Sequence, residues 1–233
     1  MHFDVLKHDI HSHLLPGLDD GVQDLETALA FIRQLSELGY THLTTTPHIM
    51  CGVYNNGADT INPKLDEVRE AVHRAGIPVE MDAGAEYLMD DYFESLLEDR
   101  EPLMTIGGNH VLVEFSWVGM PAGFRETFFR MKMAGYEPVL AHPERYHYLH
   151  KDFDVYREVH ATGVRLQANL LSFTGYYGSR VQAAAQQLAE EGLLDFAGTD
   201  LHHQRHLQAL TQFNFRKVLE KMLAVNNLRN ALL

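Results

Sequence analysis

Strand-like and helix-like stretches alternate along this whole chain, and few folds accept that order. VLKHDIH (5–11) reads as a strand, and Asp24 is placed to cap a helix with Leu25, Ala28, Leu29, Ile32 and Leu35 at helical spacing. THLTTTPH (41–48) is β-branched and stops at its proline, after which Asn62 and Pro63 suit the cap and first residue of a helix. Further strands are expected at 77–87, 110–116, 136–142, 163–170 and 193–200. Helices fall near 90–98, through FRETFFRMKMAG, around 154–161, over 179–190, and from about 207. Seven strands, each followed by a helical segment, imply parallel pairing with right-handed crossovers.

Both a closed barrel and an open doubly wound sheet fit that rhythm. No glycine-rich turn follows the first strand, which weakens a nucleotide-binding open sheet. Ligand-type side chains close six of the seven strands, and a barrel brings all strand ends to one face. The expectation is therefore an α/β chain with a single domain over residues 1–233, folded as a seven-stranded, irregular TIM-like barrel.

At 233 residues and 45% hydrophobic the chain can bury a full core. No apolar run approaches the roughly 20 residues that span a bilayer. The N-terminus lacks the basic region and long apolar core of a signal peptide, so a cytoplasmic protein without membrane insertion is expected. A single cysteine, Cys51, excludes an internal disulfide framework and a cysteine-built zinc site. The formal charge of −13 disfavours nucleic acid as a partner.

The strand ends carry the chemistry. His11 and His13 close the first strand, His48 the second, Glu86 the third, Glu114 the fourth and His142 the fifth, while Asp200 and His202 close the last. Alternate residues of an extended segment point to one side, so His11 and His13 can reach one ion, with Asp9 placed to orient one of them. An isolated H-x-H is more often an ordinary surface strand end, but Asp200-Leu201-His202 repeats the spacing at the far end of the chain. Glu114 shares an apolar strand with Val111, Leu112 and Val113, where a carboxylate costs several kcal/mol to bury unless a cation meets it. Asp20, in GLDDG, is a weaker ligand on spacing alone. Imidazoles and carboxylates with no thiol among them point to two or three divalent cations. Such ions would offset the four negative charges of Asp20, Glu86, Glu114 and Asp200, letting an anionic substrate approach. Arg145 and Arg205 each follow a strand-end histidine by three residues and are candidate clamps for phosphate oxygens.

DIHSHLLPGLDDG, TTPH, GAEY, LVEFS, LAHPERY and GTDLHH, in that order over residues 9–203, resemble the PHP (polymerase and histidinol phosphatase) superfamily. Within it the chain is most similar to the bacterial protein-tyrosine phosphatases of capsular and exopolysaccharide operons. That resemblance implies a distorted (β/α)7 barrel and a trinuclear site, usually with manganese, with iron, zinc or cobalt as alternatives. It carries the ligand set His11, His13, Asp20, His48, Glu86, Glu114, His142, Asp200 and His202, and marks Arg145 as phosphate-binding. The family's second arginine normally follows an asparagine; here the stretch reads HHQRH and Arg205 is offset. The implied partner is the phosphorylated tyrosine-rich tail of a bacterial tyrosine kinase.

Cys51 has no C-x5-R arrangement around it, so a phosphocysteine route is unsupported. Direct hydrolysis by a metal-bridging hydroxide is the expected chemistry. The competing expectations are a histidinol-phosphate-type small-molecule phosphatase on the same scaffold, a nuclease-like activity disfavoured by the acidic balance, and a non-catalytic metal-stabilised interaction module.

Overall fold

The computed structural model describes residues 3–233; Met1 and His2, part of the expected 1–233 domain, lie outside the described residues. Among the described residues every pairing between named strands is parallel, an isolated antiparallel bridge from Met50 to Tyr54 aside. One sheet has the order β1 (His8–Asp9), β2 (His42–Thr45), β4 (Glu80–Ala83). The other has the order β3 (His48–Ile49), β5 (Glu86–Leu88), β6 (His110–Glu114), β7 (Glu137–Ala141), β8 (Arg165–Asn169), β9 (Phe196–Gly198).

Two of the seven expected strands are each split in two, which yields nine ladder segments among the described residues. Between β2 and β3 stands Pro47, which has no N–H to give a neighbour. Between β4 and β5 stands Gly84, where an added Cβ would come within 2.8 Å of Ile106. Hydrogen bonds still bridge the gap, from Gly84 N to Thr45 O at 2.9 Å and from Glu86 N to Pro47 O at 3.1 Å. Beyond the ends of β1 and β9, an isolated parallel bridge joins Ser12 to Leu201.

Helices occupy the connections: α1 (Leu25–Glu37), α2 (Ala58–Arg74), α3 (Asp91–Glu98), α4 (Phe124–Met133), α5 (Asp154–Ala161), α6 (Ser179–Glu190), α7 (Gln204–Gln212) and α8 (Arg216–Val225). Asp24 caps α1 as expected, its carboxylate accepting from Thr27 N at 2.7 Å. The expected start of α2 is wrong. That helix opens four residues before Asn62, at Ala58, with the Thr60 hydroxyl reaching back to Gly57 N, so Pro63 lies inside it. The single helix expected from about 207 is two, parted between Gln212 and Arg216.

Strand alternation separates two apolar groups. Val111, Val113, Leu140, Leu166 and Ala168 pack outward against the helices in the main core. Ile10, Ile106, Leu112, Val139, Ala141 and Phe196 form a smaller cluster. Glu114 lies on the same face of β6 as Leu112, two residues further along, so the polar layer continues directly from the smaller apolar one. Among the described residues no helix is long and apolar enough to cross a membrane.

Candidate metal centre

All the strands run the same way, so their C-terminal ends collect in one place. His48 and Glu86 are register partners in neighbouring strands, and Glu114 pairs with Leu88 one strand further on. The two motifs of alternate spacing are tied back to back, with Asp200 N donating to His11 O at 2.8 Å and His13 N to Leu201 O at 3.0 Å. His142, just after β7, and Asp200, two residues after β9, both hold left-handed backbone, at φ 32° and 50°. Such conformations cost a non-glycine residue on the order of 1 kcal/mol or more and cluster at functional sites.

All nine carboxylates and histidines named from the sequence enter this cluster. Four overlapping groups have potential ligand atoms within 4.8 Å of one another: His13, Asp20, His48 and His202; His11, His142 and Asp200; His11, His13 and Glu86; His48, Glu86 and Glu114. Glu86 is central. One of its oxygens lies 3.2 Å from both His11 Nε2 and His48 Nδ1, and the other 2.9 Å from His142 Nε2. Asp20 sits at the rim, 58% exposed, 3.6 Å from both His48 and His202.

Electrostatics follow from that crowding. Burial opposes charge on His11, yet the Glu86 and Asp200 carboxylates outweigh it and carry its pKa up to about 9. His13 is raised by Asp19 in the same way. Burial and then the charge of His13 push His202 down to about 4. Burial also works against charge on Glu86 and Asp200, but the surrounding histidines hold both carboxyls well below their ordinary values.

Whether these residues suit cations is decided by what they lack. Both oxygens of Glu114, Oδ1 of Asp200, Nδ1 of His48 and Nδ1 of His142 are buried without a hydrogen-bond partner. Glu114 is only 1% exposed, has the His48 imidazole at 3.2 Å beside it, and is costly to bury without a hydrogen bond. Divalent cations fit this donor set of oxygens and imidazole nitrogens.

Several supporting residues were not foreseen. His11 Nδ1 meets the Gln167 amide oxygen at 2.8 Å, and His13 Nδ1 meets Asp19 at 2.7 Å. These bonds leave the Nε2 atoms facing the cluster, the usual service of an outer partner. Asp9, expected to orient a histidine, instead accepts from the backbone N–H and hydroxyl of Thr199 at 2.9 and 2.6 Å. Asn169 donates to Asp200 Oδ2 at 2.6 Å, and its own N–H is held by the buried Glu144.

The two arginines separate. Arg145 donates to Asp200 Oδ2 at 2.7 Å, with its guanidinium 4.7 Å from the Trp117 ring and 4.3 Å from that of Tyr177. Arg205 is exposed on α7 and does not line the site; His203 and His206 on that turn do. The cluster floors a depression of about 270 Å3 that Trp117, Arg145, His203 and His206 also line.

A family model described as capsular polysaccharide synthesis, CpsB/CapC, matches residues 7–228. The tyrosine-protein phosphatase YwqE of Bacillus subtilis (strain 168) is 28% identical over 195 residues, spanning 84% of this chain and 77% of that one. The tyrosine-protein phosphatase CpsB of Streptococcus pneumoniae is 26% identical over 204 residues, spanning 84% and 82%. Among solved structures, the chain is similar to the metal-dependent tyrosine phosphatases YwqE from Bacillus subtilis and CpsB from Streptococcus pneumoniae. That match has a TM-score of 0.81 and 26% identity, over 94% of this chain and 85% of the other. A phosphotriesterase homology protein from Escherichia coli shares the fold at a TM-score of 0.53 and 12% identity, over 94% and 90%.

Proposed function

This chain belongs to the CpsB/CapC family of capsular polysaccharide synthesis, and we infer that it is a metal-dependent tyrosine-protein phosphatase. The observation that carries the chemistry is the set of buried carboxylate oxygens on Glu114 and Asp200 that accept no hydrogen bond and face the cluster's imidazoles, with Arg145 beside them.

His11, His13, Asp20, His48, Glu86, Glu114, His142, Asp200 and His202 would hold two or three divalent ions, with manganese first and iron, zinc or cobalt as alternatives. Glu86, shared by two of the four ligand groups, supports more than one ion. Bound there, divalent cations lower the pKa of water from about 15.7 toward 7 and offset charge on the phosphoryl oxygens. Arg145 would take a phosphoryl oxygen with its remaining N–H groups. Asp200 and the rings of Trp117 and Tyr177 hold its plane in advance, so little ordering is left for the moment of binding. Phenolate, with a pKa of about 10, leaves with less help from an acid than an alkoxide needs. Arg205, exposed, has no part in this mechanism.

The physiological substrate we propose is a phosphotyrosine-bearing protein, the tail of a bacterial tyrosine kinase, met in the cytoplasm. The two sheets are read as one distorted (β/α)7 barrel over a single domain, with the Ser12–Leu201 bridge in support of its closure. Turnover of a phosphotyrosine peptide and of histidinol phosphate by the metal-loaded protein tests the reading. Higher kcat/KM on the peptide is expected; preference for histidinol phosphate, or no hydrolysis of either, would overturn it.

A further inference from the structure

Trp117 is the chain's one tryptophan, and half of its surface, 50%, is open to solvent. It follows β6 by three residues, on the segment that leaves Glu114 at the floor of the site. An indole with this much exposed area at the edge of a charged depression is poorly explained by core packing. Its inner contacts are with the site itself. The His142 ring stacks at 5.3 Å with an interplanar angle of 21°, Tyr146 lies at 5.5 Å, and the Arg145 guanidinium is 4.7 Å from the ring centre.

We propose that Trp117 forms the aryl subsite of this enzyme, taking the phenyl ring of phosphotyrosine against the open part of its indole while Arg145 engages the phosphoryl group. The inference rests on the phosphatase reading and names what selects the substrate. In an aryl phosphate the ring is one bridging oxygen from phosphorus, so it lies next to whatever clamps the phosphoryl oxygens. Arg145 is that clamp, and Trp117 already touches it. The other ring near Arg145, Tyr177, does not line the depression. Histidines apart, Trp117 is the one aromatic side chain that does so among the described residues. Its neighbour Val118 is 95% exposed, which leaves the outer side of this segment clear for the peptide around the phosphotyrosine.

The test uses the metal-loaded, full-length protein with a phosphotyrosine peptide as substrate and inorganic phosphate as a ring-free competitive inhibitor. Trp117→Ala is expected to raise KM for the peptide about five- to tenfold, the scale of one aromatic pair. Trp117→Phe should recover KM to within about twofold of the native enzyme. The inhibition constant for phosphate should rise by clearly less than the peptide KM in Trp117→Ala, because Asp200 and Tyr177 still hold Arg145, and should stay at the native value in Trp117→Phe. Because Trp117 is the single indole, a non-hydrolysable phosphonate analogue of the peptide should change the native fluorescence, and inorganic phosphate should not. An unchanged peptide KM in Trp117→Ala would overturn the subsite, as would KM and the phosphate constant rising by the same factor. So would a phosphonate that binds without altering emission. If the native enzyme hydrolyses no phosphotyrosine peptide at all, it is the phosphatase reading that falls, taking the subsite with it.

Discussion

The two ends of the strands carry the same residue types and treat them in opposite ways. At the N-terminal ends the buried charged and titratable groups have answers close by. His8 Nε2 meets the Thr44 hydroxyl at 2.7 Å and its ring stacks on His42 at 4.0 Å, while His42 meets Asp82 at 2.8 Å. Asp195 takes Arg165 at 3.1 Å and His160 at 3.2 Å. The donors at that end that lack a hydrogen bond, on His110, Arg165 and Arg229, still have a carboxylate oxygen at 3.2, 3.8 and 3.9 Å. At the C-terminal ends both oxygens of Glu114 and Oδ1 of Asp200 lack a hydrogen bond, and what lies near them is the imidazoles of the same cluster, with His48 Nδ1 3.2 Å from Glu114 and His202 Nδ1 3.3 Å from Asp200. Carboxylates answered one by one in separate pairs are architecture; carboxylates and imidazoles that converge from six strand ends on one shared space make a binding site for cations.

The sharpest way to break this contrast is to remove one carboxylate from each end. Glu114→Gln should cut kcat/KM on a phosphotyrosine peptide by about a thousandfold or more. Thermal melts of that variant, stripped of metal, should match or exceed those of stripped native protein, because an uncompensated buried charge has gone. Asp195→Asn should do the reverse. Its loss takes the nearer carboxylate from Arg165 and the one beside His160, leaving Arg165 only Glu137 at 3.8 Å, and costs on the order of 3 kcal/mol in denaturant titrations, with kcat/KM within about twofold. If the two variants behaved alike, the division between the ends would be false.

A smaller effect is expected from crowding under the site. A Cβ at Gly198 would fall 2.8 Å from His11 Cβ and 2.9 Å from the Gln167 amide nitrogen. Gly198→Ala should therefore displace His11, weakening metal affinity about ten- to a hundredfold by equilibrium dialysis while the fold survives. Affinity equal to native would show that His11 is not held by this packing.

The smallest effect belongs to the far end and to pH. Burial, then the neighbouring His42, pushes His8 from 6.5 down to about 3, against an opposing pull from Asp82. The unfolded chain takes up that proton first as pH falls. Stability tied to His8 is thus full above 6.5 and lost progressively toward 3, at no more than about 1.4 kcal/mol per pH unit. Denaturant titrations of His8→Asn should show a shallower decline over that window than native protein; an equal slope would contradict the assignment.

Much of this was legible because parallel alternation and strand-end ligands reinforce one another. H-x-H and D-x-H could be paired from spacing, and a strand-borne Glu114 could be flagged because its neighbours are apolar. What escaped the sequence depended on how loops close. Asp19 and Asp20 are adjacent, and only the turn decides that Asp19 braces His13 while Asp20 stays at the rim. Gln167 and Asn169 left a signal, two amides on one face of a strand with Leu166 and Ala168 on the other, and could have been found. The matching of Arg205 to Arg145 failed because the backbones differ. Arg145 ends a tight turn that starts at Pro143, whereas Arg205 is in the first turn of α7, which exposes it and buries His206. Asn62 and Pro63 looked like a helix start because a proline is welcome there, but Gly57 and Thr60 supplied the cap earlier.

The most direct measurement is metal stoichiometry by equilibrium dialysis, comparing native protein, Glu114→Gln and Asp195→Asn. More than one divalent ion per native chain is expected, with fewer in Glu114→Gln and the native number in Asp195→Asn. Native protein that binds no divalent ion, or a Glu114→Gln protein that binds the full native number, would contradict the claim that the unpartnered carboxylates exist to hold cations.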